Sequence, residues 1–156
     1  MILGLSVALL VLVFDQVTKF LVANMLLADV SSIAVTSFFN IIKAWNTGVS
    51  FSIFSGGGKA GVYVLSAVAL AIVAALIWWL KNEKNKLLQM SIGFIIGGAI
   101  GNVIDRLRFG AVFDFLDVHA FGKHWPAFNV ADSFICIGAV LIIICSILEE
   151  KEDKKK

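Results

Sequence analysis

The sequence predicts a membrane all-α protein with a small β element: four transmembrane helices plus a small extracytoplasmic β-sheet cradle. Three observations lead there. Hydrophobic residues make up 60% of the 156 and charged residues only 15%, against about 25% charged in soluble domains. Four apolar runs are each long enough to cross a bilayer. The two long connections between them carry alternating, strand-like stretches. A soluble domain of this size has no interior large enough for so much apolar surface, so lipid must cover it.

The runs are 2–22, 61–80, 87–104 and 127–148. Each matches a hydrocarbon core of about 30 Å at 1.5 Å per residue. The first resembles a cleavable signal peptide in position. It lacks a basic leader and a small-x-small cleavage site, and it carries Asp15 and Lys19 in its outer half, so it is read as a retained span. The whole chain, 1–156, is one integral membrane domain, and the dense mixed-charge tail 149–156 is expected to be solvated and unstructured.

Runs two and three are joined by the tight polar turn 81–86. The other two connections are long. The first contains the strand-like stretches Ser32–Val35, Phe38–Ile42 and Val49–Phe54 and a Gly56-Gly57-Gly58 turn; the second contains Ala111–Leu116. Lysine and arginine set the orientation. The turn and tail hold Lys81, Lys84, Lys86, Lys151, Lys154, Lys155 and Lys156, and the long connections hold Lys43, Lys59, Arg106, Arg108 and Lys123. The excess in turn and tail places both termini in the cytoplasm and the long connections outside.

Several classes of function are disfavoured. A net charge of +2 with dispersed basic residues gives no nucleic-acid surface. Cys136 and Cys145 are nine residues apart on one predicted helix, half a circumference from each other, so they cannot bridge within it. His119 and His124 lie outside any metal-ligand spacing and are read as ordinary loop histidines; no metal or cofactor is expected. The serines lack the contexts that make a nucleophile, and no histidine completes a triad.

Carboxylates remain. Apart from Glu83 and the tail, every acidic residue falls on one membrane side in an alternating four-span bundle. Asp15 lies in span one with Lys19 at i+4 on the same face, a structural ion pair in the plainer reading. Asp105 closes span three, and Asp114 follows, flanked by Phe113 and Phe115 that face the opposite way in a strand. Asp132 sits about two turns into span four with Asn129, Ser133 and Cys136 on its face and no cation within a turn. An ionisable group in lipid is costly, so Asp132 is a functional candidate. In span three Gly93, Gly97, Gly101 and Asp105 form one ridge, and Gly98, Asn102 and Arg106 form another. Such stripes serve helix packing, but here both end in polar groups at the same face.

Five blocks carry a family resemblance: Asp15-Gln16-Val17-Thr18-Lys19; Asn46-Thr47-Gly48-Val49-Ser50-Phe51-Ser52; Gly98 through Arg106; Val112-Phe113-Asp114-Phe115; and Pro126 through Ser133. In this order, on four spans, the chain resembles signal peptidase II, the bacterial lipoprotein signal peptidase, over essentially its whole length. Val49 stands where the family usually has a small residue, and Phe113 where it commonly has valine. The resemblance implies an aspartic endopeptidase of the bacterial inner membrane, multi-pass, with its site toward the extracytoplasmic face. It implies cleavage of diacylglyceryl-modified prolipoproteins before the lipidated cysteine. Asp114 and Asp132 become the catalytic pair, supported by Asp15, Lys19, Asn46, Gly48, Asn102, Asp105, Arg106 and Asn129. Membrane phospholipids surround it, no cofactor is implied, and a monomer is expected. Two other readings were open from the residues alone. A proton-relay or transport subunit requires carboxylates at mid-depth and on both sides, and a scaffold packed through the glycine stripe leaves the asparagines and Arg106 without a role.

Overall fold

A computed structural model describes residues 1–48 and 58–153. Four helices in it are long and apolar enough to cross a membrane: α1 (Ile2–Leu21), α2 (Gly58–Asn82), α3 (Lys86–Phe109) and α4 (Val130–Asp153). A π turn, Val22–Leu26, prolongs α1. Four antiparallel strands complete the fold: β1 (Ser32–Thr36), β2 (Phe39–Asn46), β3 (Val112–Ala120) and β4 (Lys123–His124), adjacent in that order.

The central helix is α3, which packs against α1, α2 and α4 and is the most enclosed of the four. Its sequence explains this. Gly97 lies against the backbone carbonyl of Ala8 on α1, and Gly98 lies against that of Ala131 on α4, contacts with no room for a Cβ. Small residues on two adjoining faces let one helix hold two neighbours at backbone distance. The helix starts at Asn85, whose side chain accepts the N–H groups of Leu87 and Leu88, and ends at Gly110 in a left-handed conformation that glycine adopts without strain. Lipid is the solvent elsewhere: Leu9, Leu10, Phe20, Trp78, Ile143 and Leu148 are exposed on the bundle's outside.

The spans differ from the hydropathy reading at their ends. Asp105 does not close span three, because α3 runs one more turn to Phe109; Arg106 and Arg108 are good helix formers with water within reach. In the other direction, α4 begins at Val130, so 127–129 are not helical and Asp132 sits in the first turn rather than two turns in. Phe128 explains the delay. Its backbone bridges β3, with Phe115 and Leu116 donating to Phe128 O and Phe128 N donating to Leu116 O. At its far end α4 reaches Asp153, taking in part of the tail expected to be unstructured; Glu and Lys are no helix breakers.

The predicted strands at 32–35, 38–42 and 111–116 are observed, β2 and β3 being longer than expected. The Val49–Phe54 stretch and Gly56-Gly57 lie outside the described residues, and Gly58 opens α2. Register sets Ala44 opposite Asp114 and Trp45 opposite Phe113. Phe113 and Phe115 stack on one face of β3 with centroids 5.8 Å apart, within a core of Val22, Leu27 and both rings. Asp114 takes the other face.

Candidate active site

Two carboxylates face each other through a pair of asparagines. Asp114, 2% exposed, reaches the site from β3, and Asp132 from the first turn of α4. Asn129 Nδ2 donates to Asp114 Oδ1 at 2.7 Å, and Asn102 Nδ2 donates to Asp132 Oδ1 at 2.7 Å. The asparagines join each other, Asn129 Nδ2 to Asn102 Oδ1, at 3.1 Å. The remaining carboxylate oxygens are also satisfied: Asp114 Oδ2 by Asn46 Nδ2 at 3.0 Å, and Asp132 Oδ2 by the Asn129 backbone N–H at 3.2 Å.

Each amide is oriented from its far side. Asn46 Oδ1 accepts the N–H of Gly48, which turns its Nδ2 toward Asp114. Gly48 has φ +102° and packs against Leu65 of α2, so glycine fits both the backbone and the space. Asn129 Oδ1 accepts the N–H of Asp132, capping the first turn of α4. Asn102 Oδ1 accepts from Lys19 Nζ at 3.0 Å.

Behind the asparagines lies a charged cluster. Lys19 Nζ pairs with Asp15 Oδ2 at 2.9 Å and Asp105 Oδ2 at 2.8 Å, so its three protons meet three acceptors. Asp15 Oδ1 holds the N–H of Ala131 at 2.9 Å, and Asp105 Oδ2 holds that of Phe113 at 3.2 Å. Gln16 Nε2 bridges Asp15, Asp105 and the Gly101 carbonyl. The pair at Asp15 and Lys19 thus has a larger role than orienting α1.

Burial separates the two aspartates. Burial pushes Asp114 up to about 6, and the Asp132 charge adds to the rise, while the amides of Asn46 and Asn129 oppose it. Asp132 is half-buried and lines a cavity of about 370 Å³ with Trp125, Phe128, Ser133, Cys136 and Ile137. One carboxylate thus has access to water and the other is kept from it.

The whole chain has relatives. Residues 7–148 match the family described as signal peptidase (SPase) II. The chain belongs to the signal peptidase II family. It is therefore a peptidase, and its four apolar helices make it a multi-pass membrane protein. A lipoprotein signal peptidase from Pseudoalteromonas atlantica is 44% identical over 143 residues, covering 90% of this chain and 86% of that one. One from Ralstonia nicotianae is 45% identical, covering 91% and 81%. Two solved structures, both described as a bacterial membrane enzyme by the in meso method, share its fold. The one at 2.3 Å resolution superposes with TM-score 0.81 and 34% identity, over 98% of this chain and 92% of the other. The one at 1.9 Å gives 0.78 and 35%, over 91% and 90%.

Within this signal peptidase II fold, Asp15, Lys19, Asn46, Gly48, Asn102, Asp105 and Asn129 all converge on the carboxylate pair. Arg106 differs. It lies in the field of Asp132, Asp114 and Asp105, yet its buried Nε has no hydrogen-bond partner among the described residues. It faces a cavity of about 280 Å³ with Val62, Tyr63, Leu107, Phe109 and Gly110. One cluster was missed in the sequence. His119 and His124, read as unrelated loop residues, stack with centroids 4.8 Å apart across β3 and β4. His124 Nδ1 bonds Asp117 Oδ1 at 2.8 Å, and Asn40 Nδ2 bonds Asp117 Oδ2 at 2.8 Å. The His124 hydrogen bond holds Asp117 below the usual carboxylate range. The signal was the two-residue spacing of Asp117 and His119 on one strand face.

Proposed function

We propose that this chain is an aspartic endopeptidase that removes the signal peptide from diacylglyceryl-modified prolipoproteins, cleaving before the lipidated cysteine, with Asp114 and Asp132 as the catalytic pair. The observation that carries this reading is the chain Asp114–Asn129–Asn102–Asp132, which ties two carboxylates from different elements into one hydrogen-bonded unit. Its two ends each donate to a carboxylate oxygen and its middle link joins the two amides, an arrangement that suits a pair sharing one proton, since like charges side by side resist double ionisation.

The chemistry needs two carboxylates and a water. The ionised member takes a proton from the water, whose oxygen attacks the scissile carbonyl. The protonated member gives its proton to the carbonyl oxygen; as the tetrahedral adduct collapses, the first member passes the water's proton to the departing amine and the adduct's hydroxyl returns one to the second. Substrate acyl chains remain in lipid beside the helices, so the bilayer delivers the reacting peptide already oriented. The lysine-rich turn and tail support cytoplasmic termini and a site at the extracytoplasmic side of the inner membrane. The enzyme works as a monomer among membrane phospholipids and has no nucleic-acid partner.

The test is cleavage of a lipid-modified preprotein by the purified protein in lipid. Asp114→Asn and Asp132→Asn should each abolish it while still inserting and binding substrate. Retention of more than about a hundredth of the activity by either variant refutes the assignment, because losing one member of such a pair removes several kcal/mol of barrier reduction.

A further inference from the structure

We propose that Lys19 is a positioning residue for this peptidase: by fixing the polarity of Asn102 it assigns the ionised role to Asp132 and leaves the shared proton on Asp114. The inference rests on the catalytic pair named above and goes one step further, to which member is base and which is acid.

The argument starts from what an ammonium can do. Lys19 Nζ only donates, so the Asn102 atom facing it at 3.0 Å must be the carbonyl oxygen. A second donor, Asn129 Nδ2, reaches the same oxygen. Asn102 then has only its N–H groups to offer Asp132, and it offers one at 2.7 Å. A hydrogen bond donated to a carboxylate favours its charged form. Lys19 itself cannot swing away, because Asp15 and Asp105 hold its other two protons.

Asp114 also accepts two amide N–H groups, from Asn129 at 2.7 Å and Asn46 at 3.0 Å, so the choice between the two aspartates turns on the surrounding charge and on access to water. Asp132 faces Asn102 and the charge of Arg106 from α3, Asp114 from β3, and its own cavity. Asp15 of α1 is occupied with the Ala131 N–H and Asp105 with that of Phe113, so neither competes for Asn102. Asp114 is sealed from solvent, whereas Asp132 opens on a cavity of about 370 Å³. Water therefore meets Asp132. In the reaction Asp132 takes the proton of the attacking water and Asp114 protonates the carbonyl oxygen. As the adduct collapses, Asp132 passes its new proton to the departing nitrogen, and the adduct's hydroxyl returns a proton to Asp114. Both groups end as they began.

The experiment follows cleavage of a lipid-modified peptide from pH 4 to 9 by the full-length protein in lipid, with thermal unfolding run alongside. The acid limb reports protonation of the base. Asn102→Leu keeps Lys19 with its two carboxylates but removes the donor to Asp132, so the limb should move up by about one pH unit. Lys19→Met on an Asp15→Asn background keeps the net charge of the cluster and should move the limb the same way. Lys19→Arg should leave it in place. Where the double variant does not fold, Lys19→Gln replaces it, and a smaller upward move is expected. An unmoved limb in Asn102→Leu overturns the proposal. So does a folded Lys19 variant that loses the same factor at every pH, which is the mark of a purely structural lysine. Failure of the parent reading looks different: there Asp114→Asn or Asp132→Asn still cleaves.

Discussion

Asp15, on the first helix, accepts the backbone N–H of Ala131 at 2.9 Å, one residue before Asp132 on the last. Asp105 does the same for Phe113, one residue before Asp114. Each of these aspartates thus grips the main chain beside a member of the proposed pair, and Lys19 ties the two grips together. The dyad is placed by backbone anchors, which leaves its own oxygens free for the amides.

Asp15→Asn should lower the thermal stability and the abundance of the protein. It removes one of the two carboxylates that hold Lys19, which keeps Asp105 and Asn102, and losing one charged partner from a buried network costs about 1–3 kcal/mol. Thermal unfolding in detergent checks this, and a melting temperature equal to that of the unmodified protein would sink the claim. Asp114→Asn should keep the cluster intact and melt near or above it.

Gly98→Val should reduce cleavage more steeply than it reduces stability. The added side chain meets the Ala131 carbonyl and Ile135, so α4 must retreat from α3 at the turn that carries Asp132. Overpacking of this kind costs roughly 1–3 kcal/mol. Turnover normalised to folded protein measures the difference, and a variant with full specific activity would show that α3–α4 spacing does not set the site.

The dependence of kcat/KM on pH should be a bell whose falling limb lies near 6, because that limb reports the acid of the free enzyme and Asp114 is pushed up to about 6 by burial. In kcat the limb should lie higher, since bound substrate excludes more water. A rate rising steadily from pH 5 to 9 contradicts the shared proton. Stability carries the same signature. A carboxyl raised above its ordinary 3.8 contributes stability that is full below 3.8 and lost as pH rises through about 6. The unfolding free energy of the unmodified protein should therefore fall relative to that of Asp114→Asn across that window and run parallel to it above.

Topology is open to direct labelling. On a background with Cys136 and Cys145 replaced by serine, Lys123→Cys in β4 should react with an impermeant thiol reagent added outside intact cells, and Lys84→Cys in the α2–α3 turn should not. Both positions are exposed. The reverse pattern would invert the orientation and leave the fold unchanged.

Much of this was legible in the residues, for unequal physical reasons. The spans were, because nothing but lipid can cover so many apolar side chains. Asp15 and Asp132 stood out as candidates, because charge inside such a span is costly enough to demand a use; Asp114, on a strand, was singled out only by the family resemblance. The start of α4 was not: Ala127 and Phe128 are as apolar as any span residue, and hydropathy does not register that Phe128 spends its backbone hydrogen bonds on β3. That error displaced Asp132 by a turn and hid its alignment with Asn102. Lys19 was read as the partner of Asp15 because i+4 spacing is visible along a sequence. Its contacts with Asp105 and Asn102, more than eighty residues away, are not. The cluster of Asp117, His119 and His124 escaped because a two-residue strand leaves no pattern to count.

The last helix to be synthesised carries Asp132, and the groups that receive it, Asp15 and Asn102, belong to helices made earlier. A nascent chain arrested after α3 and β3 already contains Asp114 but has neither Asp132 nor Asn129. With the pair proposed above, the two carboxylates come together in one step, when α4 enters the bilayer and docks, and biogenesis itself would then act as the safety catch.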